Sequence, residues 1–508
     1  MTAGVAATRS DSLLRAALDD NVDLLMSAMG GSSDILTQTF QLPLPDGGGL
    51  RGAVMFTEGL SDIRQMMTKL LEPSASPQDG KEPAAWLAVL KERVLAERVV
   101  VESSDRDQLL GCMLNGCALL LLDGLDKGLA VNALDLKARQ VEEPNVQSVV
   151  RGPREGFTEV LDWNTAMLRR KLHTPDLWME TRLIGRQSRT RVVIAYLNGV
   201  VKEDVLQEVR RRIDAIDIDA VLESNYIEEC IQEKQYSPFP TMFNTERPDV
   251  VSANLLEGKV GILVDGTPFV LVVPALFVQF FQSSEDYYQR PDFASLVRGL
   301  RFIAFFLATL TPSLYIAVTT FHQELIPTTL LYNLASQREG VPFPAFMEGL
   351  LMEVTFEILR EASVRMPKTI GQSISIVGTL VIGQAAVEAG LVTAGMVIVV
   401  SVTAISNFVM PAFNMGIAAR ILRFFLMAMA GTFGLFGVFL GIIVIIVKLC
   451  NLESFGVPYM TPFAPLRLRE LRDGFVRVPF RWMTRRPSTA VPGRRLRLPE
   501  PAKERERP

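Results

Sequence analysis

Two histidines and four cysteines are all that 508 residues offer for metal or redox chemistry. Cys112, Cys117, Cys230 and Cys450 have neither zinc-ligand spacing nor a paired framework, so reduced structural thiols are expected, with no metal and no cofactor. No nucleophile, base and orienting group stand at motif spacing, which argues against an enzyme. The first 30 residues carry Asp11, Asp19, Asp20 and Asp23 and no apolar core of signal-peptide length, so the N-terminus is expected to stay in the cytoplasm. Charge of one sign is also scarce. The formal net charge is −4, which calls for no polyanionic partner and no nucleic acid. The one imbalance is residues 467–508, with 13 Lys and Arg against 5 Asp and Glu.

What is abundant is apolar surface. An apolar content of 48% with positive mean hydropathy is too high for an ordinary soluble enzyme and points to a membrane protein. Its distribution is uneven. Residues 1 to about 255 alternate strand-like and helix-like patterns, whereas long apolar runs dominate after about 295.

The first half repeats itself. Ala53 to Gly59 is an apolar strand ending in glycine, followed by a helical pattern with Ile63, Met66, Met67 and Leu70 on one face. Val193 to Gly199 has the same plan, followed by Val205, Val209 and Ile213. Cys117 to Gly124 and Val260 to Gly266 both read as a buried strand running into an Asp-Gly turn. Gly59 and Gly124 are 65 residues apart, and Gly199 and Gly266 are 67 apart. Two related α/β subdomains are expected from the matching offsets.

Between them lies VRGPREGFTEVLDWNTAMLRR, Val150 to Arg170. Its glycines and arginines invite a phosphate site, but Phe157 and Thr158 stand where a P-loop needs its lysine and hydroxyl. The segment reads instead as a turn at Gly152 and Pro153 admitting the chain to a helix from Phe157. On that reading Glu155 and Glu159 complement the helix dipole in its first turns. Arg151, Arg154, Glu155 and Gly156 are candidate oligomer-interface residues.

In the second half, Phe302 to Phe321 is a run of 20 residues without a charge, long enough to span a bilayer. Arg298 and Arg301 just before it mark that end as cytoplasmic by the positive-inside tendency. Phe424 to Val447 is a second span, with Gly431, Gly434 and Gly437 at every third position permitting close helix contact. Val392 to Pro411 is a third, and Ile374 to Val387 a shorter, glycine-interrupted one. Arg420 and Arg423 fit poorly, because an even number of crossings would place them on the outer side, so a helix is miscounted or the rule fails there. The run Phe269 to Phe281, with Pro268 and Pro274, reads as a strand or interfacial segment. Glu353, Glu357 and Glu361 recur every fourth residue on one helical face. Such a stripe faces water on a surface helix, or forms carboxylate rings favouring cations if several copies surround an axis. Gln384 and Glu388 are secondary ion-path candidates.

The segments VRGPREGFTE, SPFPTMFNTERPDVV, LVDGTPFVLVVPALFVQFFQSSEDYY, VIGQAAVEAGLV and VPYMTPFAPL together resemble the A-subunit family of bacterial spore germination receptors, the GerA family. The resemblance runs from about residue 30 to 485. It implies a multi-pass protein of the spore inner membrane with a cytoplasmic N-terminal region. It also implies a transporter-like, nutrient-binding B subunit and a C-subunit lipoprotein as partners, and a homo-oligomer, a pentamer being suspected, that forms a nutrient-gated ion channel. An accessory, signal-amplifying paralogue of the same family is the nearest alternative. A secondary transporter is a further one, although the membrane half shows no matched pair of broken helices. The expected fold class is α+β with an α-helical membrane part. The divisions expected are an N-terminal segment 1–29, cytoplasmic α/β subdomains over 30–145 and 146–290, a transmembrane helical domain over 291–465, and a basic tail over 466–508.

Overall fold

A computed structural model describes residues 12–43, 49–71, 83–91, 99–134, 149–233, 237–365, 383–468 and 470–483, with 144, 147, 486 and 487. The chain divides into two compact units. The first comprises residues 1–232, 242–274 and 483–508, and the second residues 233–241 and 275–482.

The first unit contains one plan twice. Its first half runs α1 (Leu18–Ala28), β1 (Ile35–Pro43), β2 (Gly49–Thr57), α2 (Arg64–Leu70), α3 (Pro83–Val89), β3 (Val99–Ser103), α4 (Arg106–Leu114), β4 (Cys117–Leu122) and β5 (Gly128–Asn132). Its second half runs α5 (Leu161–Lys171), β6 (Leu177–Ile184), β7 (Thr190–Leu197), α6 (Glu203–Asp214), α7 (Ser224–Ile231), β8 (Phe243–Thr245), α8 (Pro248–Leu256), β9 (Val260–Val264) and β10 (Val270–Val273). The sheets have orders β1-β2-β4-β5-β3 and β6-β7-β9-β10-β8, which correspond strand for strand. All pairings are antiparallel.

The uninterrupted apolar strands follow from burial on both faces. Along β2 and β4, Val54, Leu120 and Leu122 point to a core with Met66, Leu70 and Trp86, while Met55, Leu119 and Leu121 point to another with Leu25, Leu110 and Met113. The period of two thus divides one strand between two cores. Gly124 and Gly266 have φ of +83° and +90°, the left-handed geometry the Asp-Gly turns require.

The helix expected from Phe157 starts at Leu161, so Glu155 and Glu159 lie before it and not in its first turns. The cause is Asn164, whose Oδ1 accepts from the Thr158 amide at 2.8 Å while its Nδ2 donates to the Thr158 carbonyl at 2.6 Å. That side chain satisfies the backbone outside a helix.

The second unit is helical. After a 3-10 turn (Phe277–Phe281) come α9 (Glu285–Tyr288), α10 (Pro291–Phe321), α11 (Thr328–Arg338), α12 (Ala345–Arg365), α13 (Ala394–Phe408) and α14 (Phe413–Asn451). A two-stranded ribbon, β11 (Glu453–Ser454) with β12 (Val457–Pro458), follows. Helices α10 and α14 are long and apolar enough to cross a membrane, and α13 is a shorter apolar helix. Most of the expected span Ile374 to Val387 lies outside the described residues; residues 383–388 are helical. The run Phe269 to Phe281 splits into β10 and the 3-10 turn. Residues 275–290 group with the second unit, because Phe281 stacks on Phe302 at 4.2 Å and Phe277 meets Phe305 at 6.1 Å.

Helix α14 is not one straight rod. Gly434 has φ 60° and ψ −143°, which no helix contains. Beyond it the chain folds back: a Cβ on Gly437 would lie 2.2 Å from the Met429 carbonyl oxygen, and one on Gly441 2.6 Å from Leu426. In a straight helix, residues 426 and 441 would be about 22 Å apart at 1.5 Å per residue. The run read as a single span is therefore a hairpin of two limbs, 413–433 and 435–451, and the glycines serve contact within the chain.

Candidate functional site

Proline 312 sits inside α10, where its ring removes the amide that would bond the Ala308 carbonyl. Ala308 is fully buried, so water cannot replace that donor. Arg423, on the first limb of α14 and 1% exposed, donates its Nε to the Ala308 oxygen at 2.9 Å. Its Nη1 donates to Glu353 Oε2 of α12, and Glu353 is itself fully buried. One guanidinium thus joins three helices at a turn opened by proline. Three residues earlier, Arg420 Nη1 donates to Glu357 Oε2 at 2.8 Å, which makes a second, shallower rung between α12 and α14. Arg360 lies beside these rungs, over the rings of Phe408 and Phe413 at 6.0 and 5.7 Å.

The acidic stripe therefore divides within the chain. Glu353 and Glu357 face arginines of α14, whereas Glu361 points outward and pairs with Arg365 four residues on, at 2.6 Å. Gln384 and Glu388 are exposed and bonded to each other at 2.9 Å. Glu348, missed by the every-fourth-residue pattern, is buried and accepts from the Thr393 amide and hydroxyl at 3.1 and 3.0 Å, at the N-terminus of α13. Arg423 and Pro312 were visible in sequence only as a charge flanking an apolar run and a proline within one.

The arginines that flank the expected spans are ion-paired within the chain. Arg420 and Arg423 lie within a helix limb and are ion-paired there. Arg298 and Arg301 are buried around Asp286, at 3.1 and 2.8 Å, and Arg298 also reaches Asp473 at 3.1 Å. Desolvated guanidinium groups need such partners.

In the first unit, the Arg-Gly-Pro-Arg-Glu-Gly segment is tied to its own chain. The Phe157 amide donates to the Glu246 carbonyl at 2.8 Å, and Arg247 Nη2 donates to the Pro153 carbonyl at 3.0 Å. Arg151 and Arg154 are exposed, Gly156 is buried, and Glu155 pairs with Lys171 at 3.0 Å. Nearby, buried Arg169 holds Asp34 with Nε and Nη2 at 2.7 and 2.9 Å and Ser32 Oγ at 2.8 Å, which fastens the two halves of the unit together. Burial lowers the Lys259 ammonium to about 8, and burial with the Glu223 charge raises the Glu228 carboxyl to about 7. Among the described residues no group of three or more His, Cys, Asp and Glu is placed to hold a metal ion.

Residues 23–489 match the family model described as Bacillus/Clostridium GerA spore germination protein. Spore germination protein KA of Bacillus subtilis (strain 168) is 45% identical over 97% of this chain and 91% of its own length. The membrane protein YfkQ of the same organism is 45% identical over 93% of this chain and 91% of its own length. The N-terminal domain of the A subunit of the Bacillus megaterium spore germinant receptor GerK3 is 36% identical, with a TM-score of 0.42, over 53% of this chain and 99% of that one. With a family model spanning nearly its whole length and relatives this similar, the chain belongs to the GerA family of spore germination proteins.

Proposed function

We propose that this chain is the A subunit of a nutrient-responsive germination complex in the spore inner membrane. In this reading the second unit is embedded in lipid, the first unit is cytoplasmic, and several copies form a path for monovalent cations. The observation that carries the proposal is the resemblance to Spore germination protein KA across almost the whole chain, together with the long apolar helix α10 and the apolar limbs of α14. A B subunit senses the nutrient and a C-subunit lipoprotein completes the complex.

The outward face of α12 supports an assembly of copies. Its exposed positions among the described side chains are Met347, Leu351, Val354, Ile358, Glu361 and Arg365, an alternation of four and three residues. Such a stripe ends in an acid and a base that can exchange partners between neighbouring chains. Glu361 is then the acid nearest the joint between copies, with Gln384 and Glu388 as further polar groups along the path. Glu353 and Glu357 reach that path only by leaving their arginines. Arg151 and Arg154 are candidates for self-association of the first unit.

The test is cation flux from vesicles containing the full complex. Nutrient-dependent potassium release that falls on Glu361→Ala, with cross-links through Val354→Cys between copies, is the expected result. A single copy per complex, or no flux, would sink the reading. The equal similarity to YfkQ favours a second reading, an accessory membrane protein of the same family. Release that needs no B subunit would select it.

A further inference from the structure

Residues 470–482 and the first turns of α10 form a collar of exposed rings with arginines among and beneath them, and its place on α10 fixes its depth. Helix α10 has 31 residues, about 46 Å at 1.5 Å per residue, against about 30 Å of hydrocarbon. Its uncharged run begins at Phe302, so residues 291–301 extend beyond the hydrocarbon into the headgroup layer. Phe475 packs on Phe302 with centroids 4.4 Å apart. Arg298 Nη1 donates to the Asp473 carbonyl at 2.5 Å and to the Gly474 carbonyl at 3.3 Å, which fixes the returning chain at that level.

The side chains presented there are of two kinds. Phe293, Leu296, Leu300, Phe480 and Trp482 are all at least half exposed, Trp482 at 66%. Among them stand cations. Arg298 and Arg301 are occupied by Asp286 and Asp473, and exposed Arg290 by Asp292 at 2.9 Å. Among the described side chains of the collar, Arg477 and Arg481 remain. Arg477 is buried, at 4% exposure, with its guanidinium 4.7 Å from the centre of the Phe480 ring and 5.8 Å from that of Tyr287, so it supports the ring and does not face solvent. Arg481 is exposed within the 3-10 turn Phe480–Trp482. The second limb of α14 contrasts with this: Phe436, Phe439 and Val444 are exposed there with no cation between them, as suits hydrocarbon.

We propose that this collar docks into the headgroup layer of a bilayer bearing anionic phospholipid, with Phe480 and Trp482 as interfacial anchors, Arg481 as a phosphate ligand and buried Arg477 as the support beneath the Phe480 ring. Amphipathic rings settle at that depth, and each arginine near an anionic surface adds a charge-dependent attraction. The proposal rests on the membrane reading of the second unit.

The test uses the full-length protein in vesicles of phosphatidylcholine, with or without phosphatidylglycerol, carrying lipids spin-labelled at the headgroup or deep in the acyl chain. The fluorescence lost on Trp482→Phe is the Trp482 signal. Quenching of that signal by the headgroup label is the expected result, with a preference for labelled phosphatidylglycerol that Arg481→Gln lowers about fivefold. Quenching by aqueous acrylamide but not by lipid overturns the proposal, and so does shielding from both, which would mark a protein partner. Phe436→Trp in the Trp482→Phe background separates the two layers of argument. If the deep label quenches that reporter and the Trp482 signal stays unquenched, the collar alone fails; if neither is quenched, the membrane reading fails as well.

Discussion

Replacing Arg423 with methionine removes two bonds of different kinds, and their contributions can be separated. Glu353 would be left as a fully buried carboxylate without its cation, at a cost of about 3–5 kcal/mol. The Ala308 carbonyl would lose its donor, at about 1–3 kcal/mol. The sum is comparable with the whole stability of a domain, about 5–15 kcal/mol. Two second substitutions should each recover one part. Glu353→Leu removes the stranded charge, and Pro312→Ala returns an amide that bonds the Ala308 oxygen within α10. Losing an internal proline also benefits a helix in general, so the informative quantity is the excess of that gain in the Arg423→Met background over the gain in the parent chain. An excess of about 1–3 kcal/mol is expected. At about 2–4 °C per kcal/mol for a unit of this size, thermal unfolding of the detergent-extracted full chain resolves it. An equal gain from Pro312→Ala in both backgrounds would show that Arg423 does not stand in for the missing amide.

In the first unit, Asp34→Ala strands the buried Arg169 guanidinium and should cost about 3–5 kcal/mol, whereas Asp34→Leu with Arg169→Met should lie within about 1 kcal/mol of the parent in thermal melts. Gly437→Ala pushes a methyl against the Met429 carbonyl and should lower the melting temperature by several degrees, while Gly299→Ala, which has open space, should leave it unchanged. Lys259 is a base lowered on folding, so between about pH 8 and its unfolded value the unfolded chain binds more protons and stability rises with pH; Lys259→Met should abolish that rise. Glu228 is an acid raised to about 7, so stability should fall as pH rises from about 4.5 to 7, by on the order of 2 kcal/mol after allowance for solvent screening, and Glu228→Gln should flatten the curve in chemical denaturation.

The duplicated plan was legible because period-two apolar strands and Asp-Gly turns are local signals, and both sheets carry them at matching offsets. Strands β1 and β6 were not. Ile35–Pro43 mixes four polar residues, Thr37, Gln38, Thr39 and Gln41, into its alternation and Leu177–Ile184 contains Glu180 and Arg182, as edge strands can, so composition hides them. The start of α5 was misplaced because a side-chain bond from Asn164 to Thr158 outweighs helix propensity there. The hairpin at Gly434 was invisible to hydropathy, since both limbs are equally apolar; only the triplet of glycines hinted at it. Of the candidate site, the acids on α12 were legible from their spacing, but their partners were not. Arg423 is 70 residues from Glu353, and no periodic signal connects them.

The positions of these charges change what the acidic stripe can do. A carboxylate facing water or a pore is free to meet a passing cation, but Glu353 and Glu357 are held by Arg423 and Arg420. Exposing either therefore requires the rung to open, and the opened arginine must find another acceptor in an apolar setting. Arg423 already has one, the carbonyl that Pro312 leaves unbonded, so its cost of losing Glu353 is reduced while Glu353 bears the larger penalty. Arg420 has only a weak second contact, 3.4 Å from the Gly416 carbonyl, but lies nearer solvent. The two rungs should thus open in order, Glu357 first and Glu353 last. In a flux assay on the full complex, Glu357→Gln should then change the ease of opening with little loss of folded protein, whereas Glu353→Gln should reduce the folded yield before any effect on flux can be read. Equal effects of the two substitutions on folded yield would refute that order.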